Sequence, residues 1–505
     1  MENYTSNAEI FRQYTDEATF AKIVDDGDLN SMWKRCAAEY ADRTAIVFNG
    51  EETTYAQLDK DAAGVRSALT EAGCKPGDIV AVLCANSTDF VRAFLGTVTA
   101  GCIALILPPQ LEAPAVFGCC MGFGVKALVC HEPMKAKTAL LAEKNPALPI
   151  LDATARGEKE VPVIPVPGKH PCVIMFTGGT TGKSKGALLN HAAVLQGTIN
   201  GCYGIREIFA QRYLLILPLS HVFGLIRNLL ASIYTGSTLF ISKGGQELFR
   251  DIAIFRPTIL VLVPALAEMA LALSRKLGKN MLGDDLKTII CGAAAVPQYL
   301  VEEYSKRGVQ LLPGYGLTES ANLVSGNPEP LRKPGSVGLP FPNQELKIVD
   351  GELWLRGRNM LDRYVGTDEQ AWTEDGWFRT GDLARIDEEG YIWITGRIKE
   401  IIVLDNAENV SPAELESRFN ELTFVQDSQV FEDVNENGKH ILALEVVLRA
   451  TELASLGENP KAAAEEKLWE VNRARRSYEQ VSRIVIRDTD FERSPAMKII
   501  RYHKV

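Results

Sequence analysis

The sequence predicts an α/β protein: a large N-terminal part of several layers, followed by a small α+β domain. Three observations carry this. Short apolar runs alternate with helical stretches through most of the chain, the runs become apolar/polar alternations after about Gly335, and a compact mixed pattern follows Arg397. At 505 residues the chain is also too long for a single core.

The elements follow in order. The run from Ile79 to Cys84 reads as a strand and leads into a helix from Asp89 to Ala100. Leu214–Leu217 precedes a helical segment from Leu225 to Tyr234, and Thr258–Val263 precedes Pro264 and a helical pattern. Thr288–Cys291 ends in a turn of small residues. Unbroken apolar runs of this length suit strands buried on both faces between helices. By contrast, Glu345–Arg356 and Gly390–Thr395 alternate around turns, which predicts antiparallel, β-barrel-like structure near residues 335 to 395. The last part predicts a helix over 413–422, a strand over 441–448, a helix over 462–475 and a strand over 483–487. Asn435–Gly438 reads as a turn. The boundary between the two parts falls near Arg397 to Lys399, and no internal repeat is visible.

Composition narrows the function classes. With 46% apolar and 23% charged residues the chain is an ordinary globular protein. A formal net charge of −10 leaves no basic excess to neutralise a nucleic acid backbone. The ten cysteines contain no C-x-x-C pair, which fits core thiols in a reducing compartment better than a zinc site or disulfides. Met1 to Phe20 is polar and acidic, so neither a signal nor a transit peptide is expected. The most apolar stretch, Thr258 to Leu273, is interrupted by Pro264 and Glu268 and reads as strand then helix, with no membrane span. Cytoplasm is the expected location; monomer and homodimer stay equally open.

The segment Phe176–Gly186 reads F-T-G-G-T-T-G-K-S-K-G. It nearly matches the phosphate loop G-x-x-x-x-G-K-[ST], but only three residues separate Gly178 from Gly182. The chemistry is nevertheless that of a phosphate cradle. Gly178, Gly179 and Gly182 let backbone N–H groups approach an anion, Thr177, Thr180 and Thr181 add hydroxyls, and Lys183 and Lys185 add charge. A bare surface loop with solvated lysines is the competing reading. A strand from Cys172 to Phe176 delivers the loop, and a helix is expected to begin near Asn190 and His191.

At this point the chain resembles the adenylate-forming (AMP-binding) enzymes, most closely acyl-CoA synthetases of the long-chain type. Their phosphate loop, [YF]-T-[SG]-G-[ST]-T-G-x-x-K-G, is met at every position of Phe176–Gly186. Further motifs follow in the family's order: Pro218–Gly224 (P-L-S-H-V-F-G), Gly292–Ala295, Gly314–Ser320 (G-Y-G-L-T-E-S), Thr380–Leu383 with Gly396-Arg397, and Ser494–Lys498. The resemblance runs from about Met32 to Lys504. It implies residues 1–397 as an N-terminal domain of two α/β sheets plus a β-barrel-like subdomain, and 398–505 as a small mobile domain carrying a catalytic lysine.

The implied roles suit the residue types. Joining a carboxylate to AMP displaces pyrophosphate, so Lys498 would neutralise charge building at the α-phosphorus. Thr318 would donate to the α-phosphate, and Glu319 would ligate Mg²⁺. Asp382 and Arg397 would hold the ribose, with Ile394 beside it, and Tyr315 would lie on adenine. Gly292, Ala293, Ala294, Gly314 and Gly316 would line the nucleotide and acid sites, with His221 and Phe223 on the acid. Each also has a plain reading: Glu319 as a helix-start carboxylate, Asp382 as a turn residue, Lys498 as a solvated lysine, His221 as a core histidine.

Amino-acid-activating members place an aspartate near the pocket entrance, where this chain has His221-Val-Phe-Gly-Leu. An apolar acid, aliphatic or aromatic, is therefore expected, since a buried unpaired ammonium is costly. Arg227 reads as a partly exposed helix residue; its alternative is a partner for a second substrate carboxylate. Lys399 falls at the family's hinge. Ala407 stands where long-chain synthetases usually carry glycine, in the path of the thiol acceptor. Coenzyme A is the first expectation for that acceptor, a carrier protein's phosphopantetheine the second. ATP and Mg²⁺ complete the expected set.

Overall fold

A computed structural model describes residues 4–177, 185–370, 372–404, 409–435, 440–493 and 499–501, and the described residues build five sheets. The predicted Gly178–Lys183, Ala407, Ser494–Lys498 and most of the 435–438 turn lie outside the described residues.

Two sheets have parallel centres, as the apolar runs require. In the first, Ile79–Leu83 lies between Ile103–Ile106 and Ala127–Cys130, with Ile150–Asp152 and Pro171–Phe176 extending it in parallel. Its far edge reverses: Gly186–Asn190 runs antiparallel to Pro171–Phe176, and Arg363–Val365 runs antiparallel to Gly186–Asn190. In the second, Thr44–Phe48, Thr238–Ile241, Arg212–Leu215, Ile259–Leu262, Thr288–Cys291 and Gln310–Tyr315 are parallel neighbours. Ile103–Ile106, Ala127–Cys130, Ile259–Leu262 and Thr288–Cys291 are buried along their whole length, because helices cover both faces.

Helices start where the caps put them. Ser87 accepts from Phe90 N–H and opens Thr88–Thr99; Asn190 accepts from Ala193 N–H and opens His191–Asn200, the helix expected after the phosphate loop. Pro264, at the first position of Pro264–Leu277, starts that helix with no side-chain cap. The segment expected to be helical over 225–234 is helical, beginning as a π-helix, Phe223–Leu230, before Ala231–Tyr234.

The alternating sequence after Gly335 forms the antiparallel sheet anticipated there: Gln344–Val349, Glu352–Gly357, Phe378–Ile386 and Ile392–Arg397. Tyr4–Thr5 adds an edge strand against Leu346 and Glu345. Side chains from this sheet, including Leu346, Leu353, Leu355 and Ile392, join one core with those of the parallel sheets. Residues from Ile402 onward form a separate cluster around Leu415, Phe419, Leu444 and Leu468. There Pro412–Asn420 and Pro460–Arg473 flank a sheet of Val425–Val434, His440–Leu448 and Arg483–Arg487. The strand Val425–Val434 had no sequence signal, since Gln426, Asp427, Gln429, Glu432 and Asp433 break its apolar alternation. The two cores are tied by Arg449 Nη2 to Glu268 Oε2 at 3.2 Å and Arg275 Nη1 to Glu452 Oε1 at 2.8 Å.

Candidate active site

Four of the sequence motifs leave the carboxyl ends of parallel strands, where open α/β sheets present loops to ligands. Pro171–Phe176 runs into Thr177, whose N–H donates to Lys185 O at 2.9 Å, bringing the two ends of the Phe176–Gly186 segment together. Arg212–Leu215 leads to His221, Thr288–Cys291 to Gly292, and Gln310–Tyr315 to Thr318 and Glu319. Sheet topology, then, gathers segments that lie far apart in the chain.

The wall between them is tight. A Cβ on Gly292 would stand 3.1 Å from Gly314 O and 3.6 Å from Phe223 Cζ, so these three residues meet. Gly316 is closer still: a Cβ there would fall 1.4 Å from Asn322 O, which no side chain can satisfy. Ala293 holds φ +67, and Ala321 and Asn322 hold +46 and +92, a cluster of left-handed non-glycine residues around the same wall. Such backbone strain persists where surrounding structure enforces it, commonly at functional sites. Ala294 is exposed beside them, and His221 Nδ1 accepts from Phe223 N–H at 3.3 Å.

The antiparallel sheet contributes the polar side. Asp382 and Arg397 are cross-strand partners, and Ile394 pairs with Ala384 on the same strands. Asp382 is 1% exposed; its Oδ2 accepts from Tyr315 Oη at 2.5 Å, and its Oδ1 meets Arg397 Nε at 2.8 Å. Burial and the Asp382 charge push the Tyr315 hydroxyl well above the usual phenol range. The Asp382 charge in turn raises Arg397. The turn before Asp382 is pinned by Gly381 N–H to Glu352 Oε1 at 2.9 Å and Asp382 N–H to Thr380 Oγ1 at 3.0 Å. A carboxylate has about four acceptor sites, the chemistry that a sugar diol requires.

Thr318 and Glu319 sit in a single 3₁₀ turn, Thr318–Ser320. Glu319 Oε1 accepts from Tyr364 Oη at 2.7 Å, and Lys185 Nζ lies 4.7 Å from the Tyr364 ring while pairing with Glu369. Sequence reading missed Tyr364. It reaches Glu319 only because its strand pairs with Gly186–Leu188, a long-range event without a local signal. Among the described residues no group of three or more His, Cys, Asp or Glu side chains could hold a metal alone. Glu319 Oε2 accepts no protein hydrogen bond among the described residues. That donor set fits Mg²⁺ arriving on a nucleotide's phosphates, since Mg²⁺ is commonly held by one carboxylate plus phosphates.

Lys399 lies exposed in the turn Ile398–Glu400, just past Arg397. Arg227 corrects the sequence expectation. It is 1% exposed, a fully buried member of the π-helix and no solvent-facing helix residue.

The family model of AMP-binding enzymes matches residues 33–365, which takes in the phosphate-loop segment, His221, Gly292, the Gly314–Ser320 motif and Tyr364. The chain belongs to the AMP-binding enzyme family. This AMP-binding enzyme is 31% identical over 461 residues to indoleacetate–CoA ligase of Aromatoleum aromaticum, covering 84% of this chain and 89% of that one. It is 29% identical over 393 residues to feruloyl-CoA synthase of an Amycolatopsis species, covering 74% and 79%. Among solved structures it superposes on the anthranilate CoA ligase AuaEII in complex with anthranoyl-AMP with a TM-score of 0.84, at 22% identity over 94% and 95% of the chains. A Mycobacterium tuberculosis fatty acyl CoA synthetase gives 0.71 at 25% identity over 94% and 97%. It is an AMP-forming acid–thiol ligase.

Proposed function

We propose the following course for the reaction. ATP and a carboxylic acid form an acyl-AMP with release of pyrophosphate, and the acyl group then passes to coenzyme A as a thioester. The observation that carries the residue roles is the junction of Tyr315, Asp382 and Arg397. It sets a buried carboxylate between the tyrosine of the Gly314–Ser320 motif and the arginine at the end of the antiparallel sheet. Asp382 and Arg397 hold the ribose, with Ile394 flanking it. The Tyr315 ring and the Gly292–Ala294 strip bracket the adenine, and Thr318 donates to the α-phosphate. Glu319, oriented by Tyr364, holds Mg²⁺, which when bound supplies positive charge to the phosphates. The loop residues Thr177 to Lys183 cradle the β- and γ-phosphates, and Lys498 steadies charge at the reacting phosphorus.

The acid lies along Phe223, Gly292 and Gly316, with His221 at its carboxylate. The relatives named for feruloyl and indoleacetate substrates support an aryl or other apolar acid body. All ten cysteines are free, in keeping with a reducing, cytoplasmic setting. No helix among the described residues is long and apolar enough to cross a membrane.

The test is pyrophosphate release across a panel of aryl and aliphatic acids, with and without CoA. Acid-dependent release, and a thioester only when CoA is present, is the expected result. Release without a CoA thioester, followed by loading of a phosphopantetheinylated carrier protein, would replace CoA as acceptor. Absence of release with every acid would remove the adenylation chemistry.

We place the domain joint at residues 397–399, where the second core begins just downstream. Arg397 is extended (φ −127, ψ 136) and Ile398 opens the 3₁₀ turn, so proline fits at 398 in this arrangement. At Lys399 it would instead crowd a helical predecessor. Ile398→Pro should therefore leave pyrophosphate release near normal and slow thioester formation by about tenfold or more, because a hinge must absorb a backbone change. Single-turnover measurement of each half-reaction decides it, and equal loss in both steps would remove the hinge.

A further inference from the structure

Arg227 is, with Trp33, among the largest fully buried side chains, and its Nε and Nη1 are buried without a hydrogen-bond partner. No ion pair to it exists among the described residues, and a guanidinium stripped of water and left unpaired is strongly disfavoured. The protein nevertheless makes room for it: a Cβ on Gly201 would lie 3.2 Å from both Arg227 Cδ and Nη1.

The group does not face a sealed core. Arg227 lines a cavity shared with Gly201, Ile290, Leu312, Gly314 and Phe341, and among the described residues it is the only charged one in that lining. Gly314 also belongs to the wall built with Gly292 and Phe223, so the cavity and that wall share a residue. Phe223 and Arg227 lie about one turn apart on the π-helix Phe223–Leu230. Phe223 touches the Gly292 wall and Arg227 reaches the cavity beyond it; single π turns recur at functional sites. Two polar side chains on the cavity, Ser325 and Asn327, are committed elsewhere. Ser325 Oγ donates to Val337 O at 2.9 Å, and Asn327 Nδ2 donates to Lys333 O and Ser336 O at 3.1 and 3.0 Å. The Asn327 Oδ1 accepts from Glu329 N–H at 3.0 Å. The neighbouring Asn228 Nδ2 donates to Leu214 O at 3.2 Å. Asn228 Oδ1 and the Tyr213 hydroxyl, both buried without a hydrogen-bond partner of their own, are neutral groups, and the hydroxyl lies near enough to feel the Arg227 charge; neither supplies a counter-charge.

We propose that Arg227 is a specificity residue that pairs with a second carboxylate at the far end of the acid, so that the preferred substrate is a dicarboxylic acid with an apolar body. This rests on the ligase reading above and deepens it. One carboxyl reacts at the His221 and Thr318 end. The other meets the guanidinium, whose planar fork matches a carboxylate with two hydrogen bonds. A monocarboxylic acid of equal length leaves the buried charge unanswered.

The test compares hexanoate, adipate and adipate monoamide, and phenylacetate with its ring-carboxylated analogue, in ATP-dependent pyrophosphate release. The wild-type protein should favour each dicarboxylate by about 10²-fold or more in kcat/KM, as sites built for a polar group reject analogues lacking it. Arg227→Met should raise KM for dicarboxylates, leave the KM for ATP unchanged and turn the preference toward the monoacids. Arg227→Lys keeps charge without the fork and should lower the preference about tenfold; it decides the matter if the methionine variant fails to fold. Thermal protection by adipate, seen in the wild type and lost in Arg227→Met, is the readout independent of turnover. A wild-type preference for monoacids, or a ranking that both variants leave unchanged, overturns the inference while the ligase reading stands. Pyrophosphate release with none of the acids removes both.

Discussion

Lys498→Ala should lower the rate of acyl-AMP formation by about 10²-fold or more and leave ATP binding largely intact. As acid oxygen attacks the α-phosphorus, negative charge grows on the phosphoryl oxygens and again on departing pyrophosphate. Two described cations near the site are otherwise engaged: Arg397 is held by Asp382, and Lys185 by Glu369. A lysine directed at the transition state therefore contributes to kcat and little to ground-state affinity. Single-turnover pyrophosphate release together with equilibrium ATP binding separates the two. Near-normal adenylation in this variant would take Lys498 out of the mechanism.

Asp382→Asn should raise the KM for ATP by roughly 10- to 100-fold, the weight of one or two hydrogen bonds to a charged acceptor. The substitution keeps the side-chain shape and the Tyr315 hydrogen bond, while Arg397, 45% exposed, can turn to water. Loss of folding is accordingly not the expected outcome, and a melting temperature near wild type is the control. Nucleotides lacking ribose hydroxyls provide the sharper check. Wild type should discriminate against 2′,3′-dideoxy-ATP and the variant should discriminate much less, the coupling expected of a direct contact. An unchanged KM, or undiminished discrimination, would move the ribose site away from Asp382.

Much of this was legible in the chain. The strands at 79–83, 259–262 and 288–291 announce themselves because a four- or five-residue apolar run can be satisfied only inside a covered sheet. The Phe176–Gly186, Gly314–Ser320 and Thr380–Leu383 segments announce themselves for a different reason. Their glycines and hydroxyls act through local backbone, so their chemistry is written in consecutive residues. Gly316 needs no side chain because Asn322 O occupies that space, a contact made within one turn.

What the chain did not disclose depends on partners far away in it. Tyr315 meets Asp382 across 67 residues and from a different sheet, while Asp382 meets Arg397 through the pairing of Phe378–Ile386 with Ile392–Arg397. Tyr364 finds Glu319 across 45 residues, and the Val425–Val434 strand exists because His440–Leu448 pairs with it despite its polar sequence. Arg227 is the clearest case. An arginine in an apolar helical segment normally lifts its charge to solvent. Here Gly201, Ile290, Leu312 and Phe341, from four other stretches of chain, close around it. Local sequence specifies backbone geometry and the residue types that approach a phosphate, because those interactions span a few residues. Whether a charge is buried, and beside which group, is set by side chains packed from distant segments, and burial is what turns an ordinary arginine or aspartate into a specific binding group.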